Sequence, residues 1–347
     1  MKVGIEMCHG FIEDIGFDDF IPGFDRAKDF GFSGMYYKSP QYISKNLDPV
    51  RLRAARQYAN ELGLYLEFGL GRVNPYNTSE APDVWLLGGG DYKLSFEKLI
   101  AAAADVGCHE LVGVTAGWKY NHTGYFHFDR FRTDVSWEDQ LLATQRFLTI
   151  LAPVLRNYGS RVNLETHEEI TSFEILRIVE AVGEDVVGVA FDTANILSRG
   201  EDPIAAAKRV APFCHQTHAK DAILFFSEKG VTRQVKPCGE GIVNWRVILP
   251  ILYQDNPGLT LTIEDHKGYQ MIDLFDETWR SFHPDLNMAE MGELIRLARD
   301  CEEKMLRGEI EKVEVYEAIP YKEQMTYRLQ TGLDYLNGLI KEFNLVG

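Results

Sequence analysis

The feature that most constrains this chain is a rhythm. A short apolar segment of strand length, followed by a helical segment, recurs eight times between Lys2 and Lys267. Lys2–Met7, Gly34–Tyr37, Leu64–Phe68, Leu111–Thr115, Arg161–His167, Val186–Phe191, Cys214–His218 and Leu259–Ile263 read as strands. Val186–Phe191 is a continuous apolar run, the kind buried on both faces of a parallel sheet. Between them the pattern predicts helices over Phe17–Phe30, Asp48–Leu62, Ser95–Val106, Trp137–Asn157, Ser172–Val182, Asp202–Val210 and Asn244–Tyr253. Asp48 serves as N-cap with Pro49 in the first turn and Gly63 after the end; Ser95 is the expected cap of its own helix. Eight strand–helix units close naturally into a parallel barrel of about 250 residues. An open doubly wound sheet competes, but no Gly-x-Gly-x-x-Gly follows the first strand, and Gly239-Glu-Gly241 lies too late to supply it. The expected fold is therefore α/β, a (β/α)8 TIM barrel over residues 1–285 with a C-terminal helical extension over 286–347. In the extension, Met288–Leu306 and Tyr321–Phe343 carry apolar stripes and supply an eighth helix and an arm, which covers the barrel or clasps a second subunit. Gly69–Gly90 reads as a polar, glycine-rich loop and Lys220–Glu240 as a charged segment. The aromatic-rich excursion Trp118–Trp137 is of a length that is usually functional.

A barrel of this kind carries its chemistry at the C-terminal ends of its strands. Glu165 and His167 are two apart on an extended segment and face the same way. The next strand ends Phe191-Asp192-Thr193-Ala194-Asn195, the next at His218-Ala219-Lys220-Asp221, and the last at Ile263-Glu264-Asp265-His266. Each polar residue alone reads equally well as a helix cap or a salt bridge. Glu165, Asp192, His218 and Glu264 in step at one mouth are different, because three carboxylates cannot all stay ionised together without a cation between them. Oxygen-rich ligation with one imidazole favours Mn2+ or Mg2+, with Co2+ as a further candidate, over structural zinc. His167 and Glu264 are the candidate proton carriers, and Lys220 is placed to sit beside a developing oxyanion or to pair with Asp221. His9, Trp118, Asn195 and His266 are candidate substrate contacts.

Composition removes other classes. The formal net charge of −16, with no Lys/Arg run, is a poor match to a nucleic-acid backbone. No segment approaches the ~20 apolar residues of a membrane span, and the N-terminus has no apolar run of signal-peptide length. The five cysteines are scattered, without a Cys-x-x-Cys, which argues against a disulfide framework or structural zinc and for a reducing, cytoplasmic setting. An aromatic content of 12% suits contacts to sugar rings or a well-filled core.

The motifs Leu-Glu-Thr-His (164–167), Phe-Asp-Thr-Ala-Asn (191–195), His-Ala-Lys-Asp (218–221), Gly-Glu-Gly-Ile-Val-Asn-Trp (239–245) and Ile-Glu-Asp-His (263–266) together resemble the xylose-isomerase-like barrels. That superfamily holds sugar isomerases, ketose 3-epimerases, inosose dehydratases and apurinic-site endonucleases. The resemblance implies a metal held by Glu165, Asp192, His218 and Glu264, and proton abstraction beside the carbonyl of a small carbohydrate. Two departures set this chain apart from the ketose 3-epimerases: Asn195 stands where they carry a His, and Leu224 where they carry a substrate-holding Arg. The Asp-x-His pair that the endonucleases need after strand seven is absent between Ala222 and Glu240, which argues against DNA cleavage. Glu-x-His at strand five also resembles the large subunit of bacterial C-glycoside deglycosidases. That likeness implies His167 as acid/base, a β-eliminating lyase acting on a 3-keto-glycoside, and a small β-rich partner subunit. A keto-acid sugar decarboxylase and a non-catalytic sugar-binding barrel are the remaining alternatives.

Overall fold

The computed structural model describes residues 1–7, 11, 19–119, 122 and 124–345. Eleven strands are described: β1 Lys2–Glu6, β2 Gly34–Tyr37, β3 Tyr65–Arg72, β4 Glu110–Val114, β5 Arg161–Glu165, β6 Val187–Asp192, β7 Cys214–Ala219, β8 Asp221–Ser227, β9 Gly230–Lys236, β10 Thr260–Ile263 and β11 Tyr269–Ile272. Eight of them close into a parallel barrel in the order β1-β10-β7-β6-β5-β4-β3-β2. The helices follow the sequence signals. Asp48 accepts the Val50 amide and Gly63 ends Pro49–Leu62 at φ 72. Thr171 and Glu174 form a reciprocal capping box on Ser172–Val182.

Several boundaries differ from expectation. The first described helix is Ile21–Phe30; Phe17 and Asp18 lie outside the described residues. The third barrel helix starts at Tyr92 with Asp91 as cap, and Ser95 turns inward to bond the Asp91 carbonyl. Asp91 wins because its carboxylate reaches the free amide of Leu94 at 3.0 Å. The expected loop 69–90 contains the end of β3, a 3-10 turn over Pro75–Glu80 and a short helix, Pro82–Leu87.

The largest departure is the charged segment 220–240. It forms the antiparallel hairpin β8–β9, extended by β11 into a three-stranded sheet. All of β9 is buried, including Thr232, Arg233, Gln234 and Lys236, so its polarity marks buried hydrogen bonding rather than solvent. Met288–Leu306 packs on β8, while Tyr321–Glu342 packs on β1, β10 and the helix Trp245–Asp255. Leu329, Leu333, Leu336 and Leu339 thereby join the main core.

The barrel interior is polar. Glu67 accepts from Thr260 at 2.6 Å and Thr262 at 3.1 Å, and Asn163 donates to Glu110 and Gln216. Gly34 makes room for Tyr65, since a Cβ there would lie 2.1 Å from the ring. Cys108, Cys214, Cys238 and Cys301 are free and buried. Among the described residues, no helix is long and apolar enough to cross a membrane.

Candidate functional site

Register builds the site. β6 and β7 pair Asp192 with His218 after a one-residue shift between Val189 and Ala190, and β7 pairs His218 with Thr262 of β10. Glu165 ends β5, and Glu264 follows β10. One ligand atom from each of Glu165, Asp192, His218 and Glu264 lies within 4.8 Å of all the others. His218 Nδ1 is 3.3 Å from Glu165 and 3.5 Å from Glu264. Asp192 is fixed by local structure: its Oδ1 accepts the amides of Ala194 and Asn195, and Thr166 accepts its backbone N–H.

The electrostatics are those of a crowded, buried cluster. Burial pushes the Asp192 carboxyl up to about 6 against the pull of Lys220. Burial opposes charge on His218, yet Glu165 and Glu264 raise it to about 9. Glu264 is held well below the usual carboxylate range: burial works the other way but is outweighed by Lys220, His218 and Lys38.

Among the described residues, both ring nitrogens of His218 lack a hydrogen bond, and Asp192 Oδ2 and Glu264 Oε2 meet only the Lys220 ammonium and, for Glu264, the edge of the His218 ring. Buried polar atoms are bonded in the great majority of cases, so orphans concentrated at one point mark a missing partner. Three carboxylates and one imidazole at this spacing fit a hard divalent cation.

Lys220 is drawn into this cluster rather than paired with Asp221. Its Nζ lies 2.9 Å from Glu264, 3.0 Å from Asp192 and 3.3 Å from Asn195 Oδ1. Asp221 instead accepts backbone amides of Ala222, Gly239 and Val243. Asn195 is held from behind by Arg233 at 2.7 Å, and Arg233 also pairs with Glu168. Leu224, at the place where the ketose 3-epimerases carry an Arg, pairs with Arg233 across the hairpin. The Arg233 guanidinium is buried behind Asn195. The sequence carried its signal as a lone Arg in an alternating Val-Thr-Arg-Gln-Val run.

His167 donates its Nδ1–H to the buried carboxylate of Glu169, which also accepts from the Thr115 hydroxyl at 2.5 Å. Burial disfavours its charge, but Glu169, then Glu165 and Glu168, raise the imidazole to about 10. A cavity of about 1440 Å³ opens beside the cluster, lined by Glu165, His167, His218 and Glu264 and also by Glu6, Tyr36 and Lys38. Trp118 also lines it, stacked on His127 with ring centroids 4.2 Å apart. His266 is half-buried next to Glu264, its Nδ1 on the Lys267 carbonyl, and is not among the lining residues. His9 lies outside the described residues. Glu6, Lys38 and Tyr36, whose ring meets His218 edge-on at 4.9 Å, went unread in the sequence.

The family described as xylose isomerase-like TIM barrel matches residues 24–278. The chain belongs to this family. Among curated proteins, this xylose isomerase-like barrel is 30% identical over 105 residues to "Uncharacterized protein YihM" of Escherichia coli (strain K12). The match covers 29% of this chain and 32% of that protein, about a third of its length. Two solved structures share the fold. One is a xylose isomerase-like TIM barrel protein from Mycobacterium smegmatis in complex with magnesium, at TM-score 0.58 and 15% identity, covering 84% of this chain and 97% of that one. The other is the 3-keto-D-glucoside 4-epimerase YcjR from E. coli, at TM-score 0.56 and 15% identity, covering 81% and 97%.

Proposed function

We propose that this protein is a divalent-metal-dependent enzyme that removes a proton next to the carbonyl of a keto-sugar and returns it, as an epimerase or isomerase. The observation that carries the reading is the convergence of Glu165, Asp192, His218 and Glu264, with buried donor atoms left unsatisfied. Mn2+ or Mg2+, with Co2+ as third choice, suits this donor set, and when bound would polarise the carbonyl and neighbouring hydroxyl oxygens. The solved relatives that bind magnesium and act on a 3-keto-glucoside support the reading.

His167 and Glu264 carry the proton, one taking it and the other returning it. Both line the cavity, and Glu169 fixes the His167 ring by its Nδ1, leaving Nε2 for the substrate. Lys220 is only 2% exposed and acts through Asp192 and Glu264 as a positioning residue, with Asn195 and Arg233 behind it. Trp118 supplies an apolar face for the sugar ring. β-Elimination from a 3-keto-glycoside starts with the same proton removal, so product analysis separates it from epimerisation.

The test is deuterium incorporation from D2O into D-fructose and a 3-keto-glucoside by Mn2+-loaded protein. Exchange is expected in the parent and not in Glu165→Gln or after chelation. No exchange into either sugar by metal-loaded protein contradicts the reading.

A further inference from the structure

We propose that Lys38, held in place by Glu6, is a substrate-binding ammonium in the cavity that the carboxylate–imidazole cluster also lines. The inference rests on the keto-sugar reading above. β1 ends at Glu6 and β2 at Tyr37, and their register pairs Glu6 with Tyr36, so Glu6 and Lys38 emerge together at the same mouth as the cluster. Both line the cavity that Glu165, His167, His218 and Glu264 line.

The pair is asymmetric. The Glu6 carboxylate is 1% exposed, and its partner among the described residues is Lys38 Nζ at 2.9 Å. The Lys38 side chain is 55% exposed, and its exposure is into the cavity. A carboxylate buried with so little compensation is a poor stabilising device, because desolvation outweighs what one half-exposed ion pair returns. As an anchor it makes sense: an ammonium has three donors, and one held by Glu6 leaves two for the cavity.

Of the other cations nearby, Lys45 lines the cavity as an exposed side chain, and three are engaged. Lys220 is enclosed between Asp192 and Glu264, Arg72 is paired with Glu80 at 2.6 Å, and Arg51 holds the Ile43 carbonyl. The charge of Lys38 also reaches Glu264 and Glu165. A sugar oxygen lying between Lys38 and the cluster would receive a hydrogen bond in the ground state. It would gain more from the fixed positive charge as negative charge develops on it. No proton leaves the lysine in this role.

Three variants and one labelling experiment test it. In Mg2+-loaded Lys38→Met, kcat/KM for deuterium exchange into a 3-keto-glucoside should fall about 100-fold, with Mn2+ affinity retained. A lysine that served only to neutralise Glu6 would be dispensable once Glu6 is neutral, so Lys38→Met/Glu6→Gln would recover the Glu6→Gln rate. The proposal expects the double variant to stay at the Lys38→Met level, and recovery overturns it. If Lys38→Met does not fold, amine acylation of the parent decides: the 3-keto-glucoside should protect Lys38 from the reagent, and unaltered labelling overturns the proposal. Protection without exchange sinks the enolisation reading and keeps the lysine as a sugar contact. Exchange with Lys38 unprotected and Lys38→Met fully active sinks the lysine alone. Neither exchange nor protection sinks both.

Discussion

Two buried charged clusters hang from the end of β5, and they are opposites. In one, Arg130 and Glu174 lie 0% and 3% exposed, fork to fork at 2.8 and 2.9 Å. Arg130 also donates to the Glu169 and Phe282 carbonyls, and Glu174 also accepts from Trp137 Nε1 and the Thr171 amide. Every described carboxylate oxygen there has a partner. In the other, Glu165, Asp192, His218 and Glu264 crowd together, with both His218 nitrogens unbonded among the described residues and one ammonium, Lys220, shared by Asp192 and Glu264. Burial and charge alone therefore do not mark a functional site. The first cluster closes its own hydrogen bonds and ties the aromatic excursion to the helix after β5. The second stays open for something the polypeptide does not provide.

That contrast is sharpest in stability. Arg130→Met leaves Glu174 buried and uncompensated, and should cost about 3–5 kcal/mol, read by urea unfolding, while the folded fraction keeps its Mn2+ affinity. A similar loss from His218→Ala in metal-free protein would erase the distinction. Next in size is the effect of metal: saturation at 100-fold over Kd should stabilise the parent by about 2.7 kcal/mol, and leave Glu165→Gln unmoved in a thermal melt. Smaller again, metal-free Glu165→Gln should lose roughly 1 kcal/mol or less, because the variant gives up the pairing with His218 while it relieves repulsion from Glu264. A loss as large as that of Arg130→Met would mean that the cluster supports the fold by itself.

The smallest effect lies at the start of β7, away from both clusters. Burial, with Arg161 adding, lowers the His215 imidazole to about 4. Between its ordinary value and that one, the unfolded chain takes up a proton that the folded chain does not. His215 therefore adds stability above about pH 6.5 that is lost as the pH falls towards 4. His215→Gln should flatten the melting temperature over that acid range, and an unchanged slope would show that His215 titrates normally.

The comparison also explains what the sequence could show. Strands were legible where apolar runs or alternation met turn residues, and a helix start where Asp48 stood at the cap before Pro49. Glu165, Asp192, His218 and Glu264 were legible because each closes an apolar run at one position of a repeated unit, a pattern that needs no knowledge of contacts. The hairpin was not, because β9 buries Thr232, Arg233, Gln234 and Lys236 under β11 and the last helices, so its polarity imitates a solvated segment. Arg233 was missed for the same reason: its partner Asn195 is set by cross-strand register, not by spacing along the chain. Glu6 and Lys38 sit 32 residues apart at the ends of two ordinary-looking strands. Only closure of the barrel brings them to the cluster.

Manganese electron paramagnetic resonance with hyperfine detection tests the central claim most directly. One Mn2+ per chain, showing coupling to a single imidazole nitrogen that disappears in His218→Ala, is the expected result. Stoichiometric Mn2+ without nitrogen coupling, or no stoichiometric binding at all, would contradict a cation held by Glu165, Asp192, His218 and Glu264.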